Sequence, residues 1–431
     1  MTVLTVFLEI AGGKGRAQNT PAAARQITVA EAEQIALKNH PRVGTANLNA
    51  RAAAARVGEV RAAFMPTLSA NITGVGAEHG SAVEAGALTT SSLYSRAAGG
   101  VVLNQLVTDF GRTASLSRAA GEHASAQNQT ATETRAEVLL DVRRAYAGAL
   151  SADSVLRVAR QTVDYRRTLL RQVETLAQSS LRSTLDVSFG QVNLSDAELT
   201  LVRAENDSRA DRARLDAAMG TDGGPPLELV DEPLPPGPPA DVEALVREAI
   251  HDRPDLAALR LDHDSARSLA EAERKLSAPT VTLLAAAGGV PAIDGPLRPT
   301  YAAAGVNVSI PIFNGGLFAA RRSEAELRAA AAQGEVDDLV LRIARDVRVA
   351  WLEANNAWGR LDLTARMVDQ ANQTLRLAQT RYDLGLGAIV ELNQAQLSQT
   401  QAQINAAAAK YDYIARLAEL DFTTGNLRTA Q

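Results

Sequence analysis

Two copies of one sequence pattern follow each other along the 431-residue chain. The tetrapeptide KNHP, ending at Pro41, matches HDRP, ending at Pro254, so the offset between the two copies is 213 (254 − 41). Farther along, Asp141-Val142-Arg143 matches Asp346-Val347-Arg348 with an offset of 205 (346 − 141). Such self-similarity means that one structural unit is used twice. Because the offset changes between paired strand-like segments, we expect a hairpin loop that is longer in the first half.

A four-then-three spacing of apolar residues recurs in both copies and predicts long coiled-coil helices. In the first half it comprises Val138, Val142, Ala145, Ala149, Ala152, Leu156, Ala159 and Val163, and in the second half Ile343, Val347, Ala350, Ala354, Ala357, Leu361, Thr364 and Val368. We call these residues the seam. Its many alanines imply closely packed helices. A helix of roughly 65 residues spans about 100 Å, which exceeds the diameter of a compact globule, so a cylinder of helices is the expected assembly.

The pattern predicts a mainly α-helical chain with a small β part, in which each half reads helix, strand, strand, helix, helix. The expected segments are a leader over 1–26, a first repeat over 27–222 with a hairpin at about 66–109, a Pro-rich linker over 223–240, and a second repeat over 241–427 with a hairpin at about 279–313. The leader has an apolar segment, Val3 to Leu8, which Glu9 interrupts. It is therefore interpreted as a degraded signal peptide or a disordered leader.

Apolar and polar residues alternate in the predicted strands, so each strand has one apolar and one polar face. The alternation is clearest in TLSANITG after Pro66 and in AAAGVNVSIPIF, Ala302 to Phe313. Two such hairpins could pack on the helices of a soluble protein, or they could line a membrane barrel. Four strands cannot close a barrel, because roughly eight are needed. A membrane barrel would therefore have to be shared by several chains.

Composition argues against several classes of function. The chain has no cysteine, which excludes disulfides, thiolate metal sites and a catalytic thiol, and its formal net charge of −5 gives no reason to expect nucleic acid binding. Its five histidines show no metal-ligand spacing, and neither a nucleophile-elbow motif nor a phosphate-binding loop is present. The sequence contains no run of 18 apolar residues, so it predicts no transmembrane helix. We therefore expect no enzyme activity, no cofactor and no metal.

Three segments, together with the duplication, resemble the TolC-like outer-membrane efflux protein family. They are LNQLVTDFGRT (Leu103–Thr113), VSIPIFNGG (Val308–Gly316) and RYDLGLGAIVELNQAQ (Arg381–Gln396). The resemblance extends from about Ile27 to Leu427. It implies a homotrimer whose twelve strands form one barrel in the outer membrane, among its lipids, with an α-helical tunnel across the periplasm. It also implies docking onto a periplasmic adaptor protein and, through it, onto an inner-membrane pump.

The resemblance assigns roles to residues near the break between Arg381 and Gln396. It implies a periplasmic tip and gating region at Asp186, Tyr382, Glu391 and Gln394, and adaptor contacts at Ser180, Leu181, Leu384, Gly385, Leu386 and Gly387. The two acids also suit the first turn of a helix, whose free amides favour negative charge. In a trimer, however, Glu391 would form a ring of carboxylates that selects cations.

The sequence departs from the family pattern at the tip. Gly387 stands where a basic residue is common, and Gln394 stands where a second acid is common, so we expect fewer charges and fewer locking ion pairs. The first-half turn lacks a counterpart of Gly385, and we expect it to differ in shape.

These features predict an exit duct that passively conducts small molecules from an adaptor and pump to the exterior. A duct for type I protein secretion and, in a different class, a soluble coiled-coil scaffold are the alternatives. The sequence leaves the substrate, the pump and the adaptor open.

Overall fold

The computed structural model describes residues 25–76, 82–84, 90–92, 96–180, 183–223, 227–293 and 298–427. These residues form eight α-helices with a small β part, which confirms the predicted fold class. Of the predicted leader, residues 1–24 lie outside the described part of the chain.

Each half contains four α-helices of matching lengths. They are α1 (Val29–Asn39), α2 (Pro41–Arg61), α3 (Arg112–Gln178) and α4 (Thr184–Ala218), then α5 (Val242–Asp252), α6 (Pro254–Arg274), α7 (Leu317–Asp383) and α8 (Ile389–Thr423). The long helices α3 and α7 have 67 residues each, so each spans about 100 Å. The starts of α2 and α6 differ by 213 (254 − 41) and those of α3 and α7 by 205 (317 − 112), which confirms the two predicted offsets.

The ends of α4 and α8 are closed by glycines that meet the start of another helix. Gly220 and Gly425 have φ values of 70° and 79°, a left-handed conformation that favours glycine. A Cβ at Gly220 would lie 2.7 Å from the Cα of His40, and one at Gly425 would lie 3.1 Å from the carbonyl carbon of Asp252. The shorter helices therefore stack end to end, α4 with α2 and α8 with α6, into two composite helices beside the long ones.

The helices form one layer whose order follows from their contacts. Helix α3 packs against the composite helix α2/α4 and against the composite helix α6/α8, and α7 packs against α6/α8. The order is therefore α2/α4, α3, α6/α8, α7. In each half six of the eight seam residues are buried, including Val138 and Ala149 in α3 and Ile343 and Ala354 in α7, all with no exposed surface. The seam is thus the packing face of both long helices, as predicted.

The strands form one four-stranded antiparallel sheet and two short pairs. The sheet has the order β2 (Thr67–Val75), β5 (Arg96–Thr108), β7 (Thr280–Ile293), β8 (Thr300–Ser309), and the pairs are β1 (Arg25–Ile27) with β6 (Leu227–Leu229) and β3 (Ala82–Glu84) with β4 (Thr90–Ser92). The connection from β2 to β5 is longer than that from β7 to β8, which confirms the expected longer hairpin. Strand β8 ends at Ser309, earlier than the predicted strand, because Pro311 has no N–H with which to continue the ladder.

The linker between the repeats packs against the second half. Its Leu227–Leu229 segment pairs in parallel with Arg25–Ile27, so it contributes a short strand to the first half. Trp351 Nε1 donates a 2.6 Å hydrogen bond to the Pro239 carbonyl, and the Tyr413 hydroxyl donates to the Pro236 carbonyl. The prolines thus keep the chain extended, while side chains of α7 and α8 donate to two of its carbonyl groups.

Candidate functional site

The turn between α7 and α8 is built on Gly385 and Arg381. Gly385 has a φ of 73°, and its N–H donates to the Tyr382 carbonyl. The N–H groups of Leu386 and Gly387 both donate to the Arg381 carbonyl, at 2.8 and 3.0 Å. A Cβ at Gly387 would lie 3.2 Å from the Cβ of Arg381, which favours the smallest residue there. This turn ends the long helix and sends the chain back along it.

The first-half turn uses the same backbone conformation at the equivalent residue. Ser180, which lies 205 residues before Gly385, has a φ of 58°. Its N–H donates to the Ala177 carbonyl, just as Gly385 donates to Tyr382. The expected difference in shape is therefore wrong at this position, because a serine adopts the left-handed conformation at a local energetic cost. Leu181, the other predicted contact residue of this turn, lies outside the described residues.

Glu391 forms an ion pair with Arg381 across the turn of the same chain. Its Oε1 lies 3.2 Å from the Arg381 Nε, and both side chains are about half exposed. Arg381 also donates from Nη2 to the Leu386 carbonyl at 3.4 Å. The carboxylate is therefore partly neutralised by a guanidinium that also supports the turn. Sequence reasoning missed the role of Arg381, although a basic residue ten positions before an acid, across a turn, is a usable signal.

The remaining predicted gating residues do not share one surface. Asp186 is half-buried in the first turn of α4, after Ser183, whose side chain caps the helix by accepting from the Leu185 N–H. Tyr382 is 3% exposed and packs with Ile389 and Leu392 in a small apolar cluster. That cluster also contains Leu169 and Val173 of α3, so it fastens the turn to the first half. Gln394 is exposed.

Two of the predicted adaptor contacts are exposed apolar residues. Leu384 and Leu386 are 68% and 70% exposed, and Gly385 between them is exposed too. Ser180 at the other turn is also exposed, and Gly387 is half-buried. Exposed leucines at the end of a helical layer are a site that a partner protein can cover.

Polar contacts between α3 and the second half lie behind the turn and were not predicted. The Tyr165 hydroxyl donates to Gln379 Oε1 at 2.8 Å, and Arg166 Nη1 donates to Asn393 Oδ1 at 3.1 Å. Burial has the largest effect on the pKa of Tyr165 and raises it above its usual value. The hydroxyl therefore stays protonated and can donate a hydrogen bond. The equivalent residue of the second half is Ala371, so the repeat pattern gave no indication of this contact.

The sheet has two faces of different polarity, which its register defines because directly paired residues share a face. One face carries Leu68, Ala70, Ile72, Val101, Leu103, Leu283, Ala285, Ala287, Ala302, Ala304 and Val306. The other carries Thr67, Ser69, Asn71, Asn104, Thr282, Asn307 and Tyr301 among smaller or apolar residues. The first face is free of charge across all four strands, and Ile72 and Val306 are 93% and 66% exposed on it.

Other kinds of site are not supported in the part of the chain that the structure describes. Within it, no group of three or more histidine, aspartate or glutamate side chains is arranged to hold a metal ion. Among the described helices, none contains an apolar stretch that could span a membrane.

Comparison with known proteins identifies the family. The profile of the outer membrane efflux protein family matches residues 32–221 and 245–426, one match for each repeat. The alkaline protease secretion protein AprF of Pseudomonas aeruginosa is 29% identical over 308 residues, covering 68% of this chain and 62% of its own length. The toluene efflux pump outer membrane protein TtgI of Pseudomonas putida is 26% identical over 301 residues, covering 67% and 62%. The chain thus spans less than two thirds of each of these relatives.

A solved structure extends the comparison to the whole fold. The outer membrane protein VceC of Vibrio cholerae aligns with a TM-score of 0.75 and 18% identity, over 92% of this chain and 96% of that one. The family is made up of channel proteins and not of enzymes. With both repeats matched and the fold shared, the chain belongs to the outer membrane efflux protein family.

Proposed function

We propose that the protein is a trimeric exit duct of the outer membrane, which conducts solutes passively from a periplasmic adaptor and an inner-membrane pump to the exterior. The two-faced sheet carries this proposal, since an uncharged apolar surface across four exposed strands suits contact with lipid. The opposite, more polar face would line the pore.

The open edges of the sheet support a shared barrel. In the part of the chain that the structure describes, β2 and β8 each pair with one neighbour, so each has one edge of free backbone groups. Such edges cannot remain unpaired inside a bilayer. If β8 of one copy pairs with β2 of the next, three copies close a barrel of twelve strands, whereas one copy cannot close at all.

The helical layer has two matching open edges. Exposed apolar residues lie along α7 and along α2/α4, the two helices at its ends: Leu327, Leu341, Leu352, Leu363 and Leu377 on α7, and Leu48, Leu185, Val192, Leu199 and Val202 on α2/α4. Contact between these edges in neighbouring copies would bury them and close the layer into a tunnel. The same three-fold closure therefore serves the sheet and the helices.

At the tip, the three copies would bring Glu391 and Asp186 around a narrow opening, with Tyr382 supporting the turn and Gln394 nearby. The Arg381–Glu391 pair reduces the net charge of that ring, in keeping with its few charged residues. The adaptor would cover Ser180, Leu181 and the segment Leu384 to Gly387, and its docking would open the tip.

The names of the relatives describe two kinds of transported substrate. The name of TtgI describes toluene efflux, and the name of AprF describes secretion of a protease. Small-molecule efflux remains our first proposal and type I protein secretion the second. Expressing the chain in cells that lack their own ducts, and measuring drug tolerance beside secreted protein, would separate them.

Substitution on the two faces of β8 tests the proposed barrel. Val306 lies on the apolar face and Asn307, its neighbour, on the other. Arg at a lipid-facing position costs about 2–4 kcal/mol near the bilayer centre, whereas a pore-facing Arg is tolerated. We expect Val306→Arg to lose trimers from the outer-membrane fraction and Asn307→Arg to keep them. Equal levels of both variants, or wild-type protein that stays soluble without detergent, would refute the barrel.

A further inference from the structure

A polar cavity of about 270 Å³ lies between α3, α7 and α8, on the side of the turn toward the sheet. Its lining is Gln161, Thr162, Tyr165, Arg166, Leu375, Gln396, Gln399, Thr400 and Gln403. Eight of these nine residues are polar, and none is acidic. Several of the donors in this lining bond to groups outside the cavity, such as Tyr165 to Gln379 and Gln399 to Asn372. Two side chains, Arg166 and Gln396, are less completely satisfied.

Arg166 is the charged member of this lining, and it is buried without a counter-ion. Arg166 is 7% exposed, and its guanidinium donates one hydrogen bond within the described residues, to Asn393. Within the described residues no carboxylate lies within 4 Å of its guanidinium. Burial lowers the pKa of Arg166, and Asp196 of α4 opposes this from beyond ion-pair distance. A guanidinium carries five N–H donors, so the bond to Asn393 leaves donors of Arg166 available to a small ligand in the cavity.

Gln396 lies opposite, on α8, and is more deeply buried. It is 2% exposed, and neither its amide nitrogen nor its oxygen has a hydrogen-bond partner of normal geometry within the described residues. Its amide approaches the Tyr165 hydroxyl, whose own bond goes to Gln379. A buried amide without partners is costly, as is a buried cation without an anion. Both unfavourable free-energy terms, from the Gln396 amide and from the Arg166 charge, arise at residues that line this cavity.

We propose that this cavity binds a small inorganic anion of about the size of chloride, which the Arg166 guanidinium and the Gln396 amide nitrogen hold between α3 and α8. An anion satisfies the charge and the donors together, whereas water satisfies only the donors. Bound there, it links the long helix of the first half to the returning helix of the second, next to the apolar cluster around Tyr382. The anion site depends only on contacts between α3, α7 and α8, so this proposal does not rest on the proposed channel function.

Bromide provides the direct test, because it replaces chloride and scatters anomalously. Crystals of the detergent-purified protein grown in sodium bromide should show a bromine peak within about 3.5 Å of the Arg166 guanidinium. Arg166→Gln should abolish that peak. Arg167→Gln, which removes the same charge from a half-exposed side chain paired with Glu198, should retain it. Water alone at Arg166 in the wild type would overturn the proposal.

Thermal melting gives a second readout that does not require crystals. At constant ionic strength, replacing gluconate with chloride should raise the melting temperature of the wild type along a saturating curve, and Arg167→Gln should respond alike. Gln396→Glu would place a carboxylate beside Arg166 and occupy the role of the anion. We expect this variant to melt at least as high as the wild type in gluconate and to show no chloride response. Equal melting of the wild type in both salts would contradict the site.

Discussion

Glu133 on α3 lies in an environment that favours its protonated form. It lines a cavity where the α5–α6 junction and the end of α8 meet α3, with Leu37, Leu139 and Phe422 among its apolar walls. Burial is the largest effect, the negative charges of Asp255 and Glu137 add to it, and the positive charge of Arg253 opposes it. Together they raise the pKa of Glu133 to about 7.

The raised pKa predicts that stability falls as the pH rises toward 8. The folded protein holds the Glu133 proton more tightly than the unfolded chain, whose pKa is 4.5. The resulting stabilisation is fully present below pH 4.5 and is lost as the pH rises through about 7. Glu133→Gln should remove a difference on the order of 2 kcal/mol between pH 5 and pH 8. Melting temperatures at the two pH values measure it.

An exposed carboxylate supplies the control for that experiment. Glu335 on α7 is exposed and has no ion pair among the described residues. Glu335→Gln should keep the pH dependence of the wild type. If Glu133→Gln also kept it, another group would be responsible, and the assignment to Glu133 would be wrong.

The surroundings of Glu133 and Arg166 could not be predicted from the sequence. The cavity around Glu133 combines α3 with the α5–α6 junction, and the charge of Arg166 matters because α8 covers it. Both environments arise from contacts between the two halves, which a one-dimensional pattern does not specify. By contrast, Glu391 was predicted at its helix terminus, because local chain geometry determines that position, and only its pairing with Arg381 was missed.

At the scale of elements, the alanines of the seam set how closely the helices approach. Ala149 on α3 has no exposed surface, and the equivalent residue, Ala354 on α7, has none either. A larger side chain at such a position forces the helices apart and typically costs 1–3 kcal/mol. We therefore expect Ala149→Leu to lower the melting temperature clearly. The same change at the exposed Ala114 of α3 should alter stability by about 0.5 kcal/mol or less. Equal effects would show that the seam is not tightly packed.

Helix boundaries were predictable because each depends on local chemistry. The seam indicates which stretches are helical. Pro41 and Pro254 suit the first turn of a helix, and the glycines at 220 and 425 suit the position that follows a helix. The expectation for the first-half turn was wrong at Ser180, because this left-handed position holds a serine, which carries no clear turn signal. In that turn the hydrogen bonds of the helix end outweigh the local preference of the side chain.

The whole molecule is a layer whose sheet and helices both end in open edges. Among the described residues of the single chain, β2 and β8 each have one strand partner, and α7 and α2/α4 expose apolar residues. One three-fold arrangement would complete both at once, so the proposed trimer follows from geometry as well as from the family. The sequence predicted the four strands of the sheet and the need for several chains to close a barrel. The order of the strands became known only from the structure.

Conductance in a planar lipid bilayer tests the central proposal most directly. Detergent-purified wild-type protein should give small, cation-selective steps, because a carboxylate ring at the tip selects cations. Glu391→Ala leaves Arg381 without its partner, so it should lose or reverse that selectivity. Glu335→Ala, at an exposed carboxylate of α7 remote from the tip, should keep the selectivity. Steps unchanged by Glu391→Ala would place the constriction elsewhere. Absence of any channel, from protein that stays soluble without detergent, would contradict the exit duct.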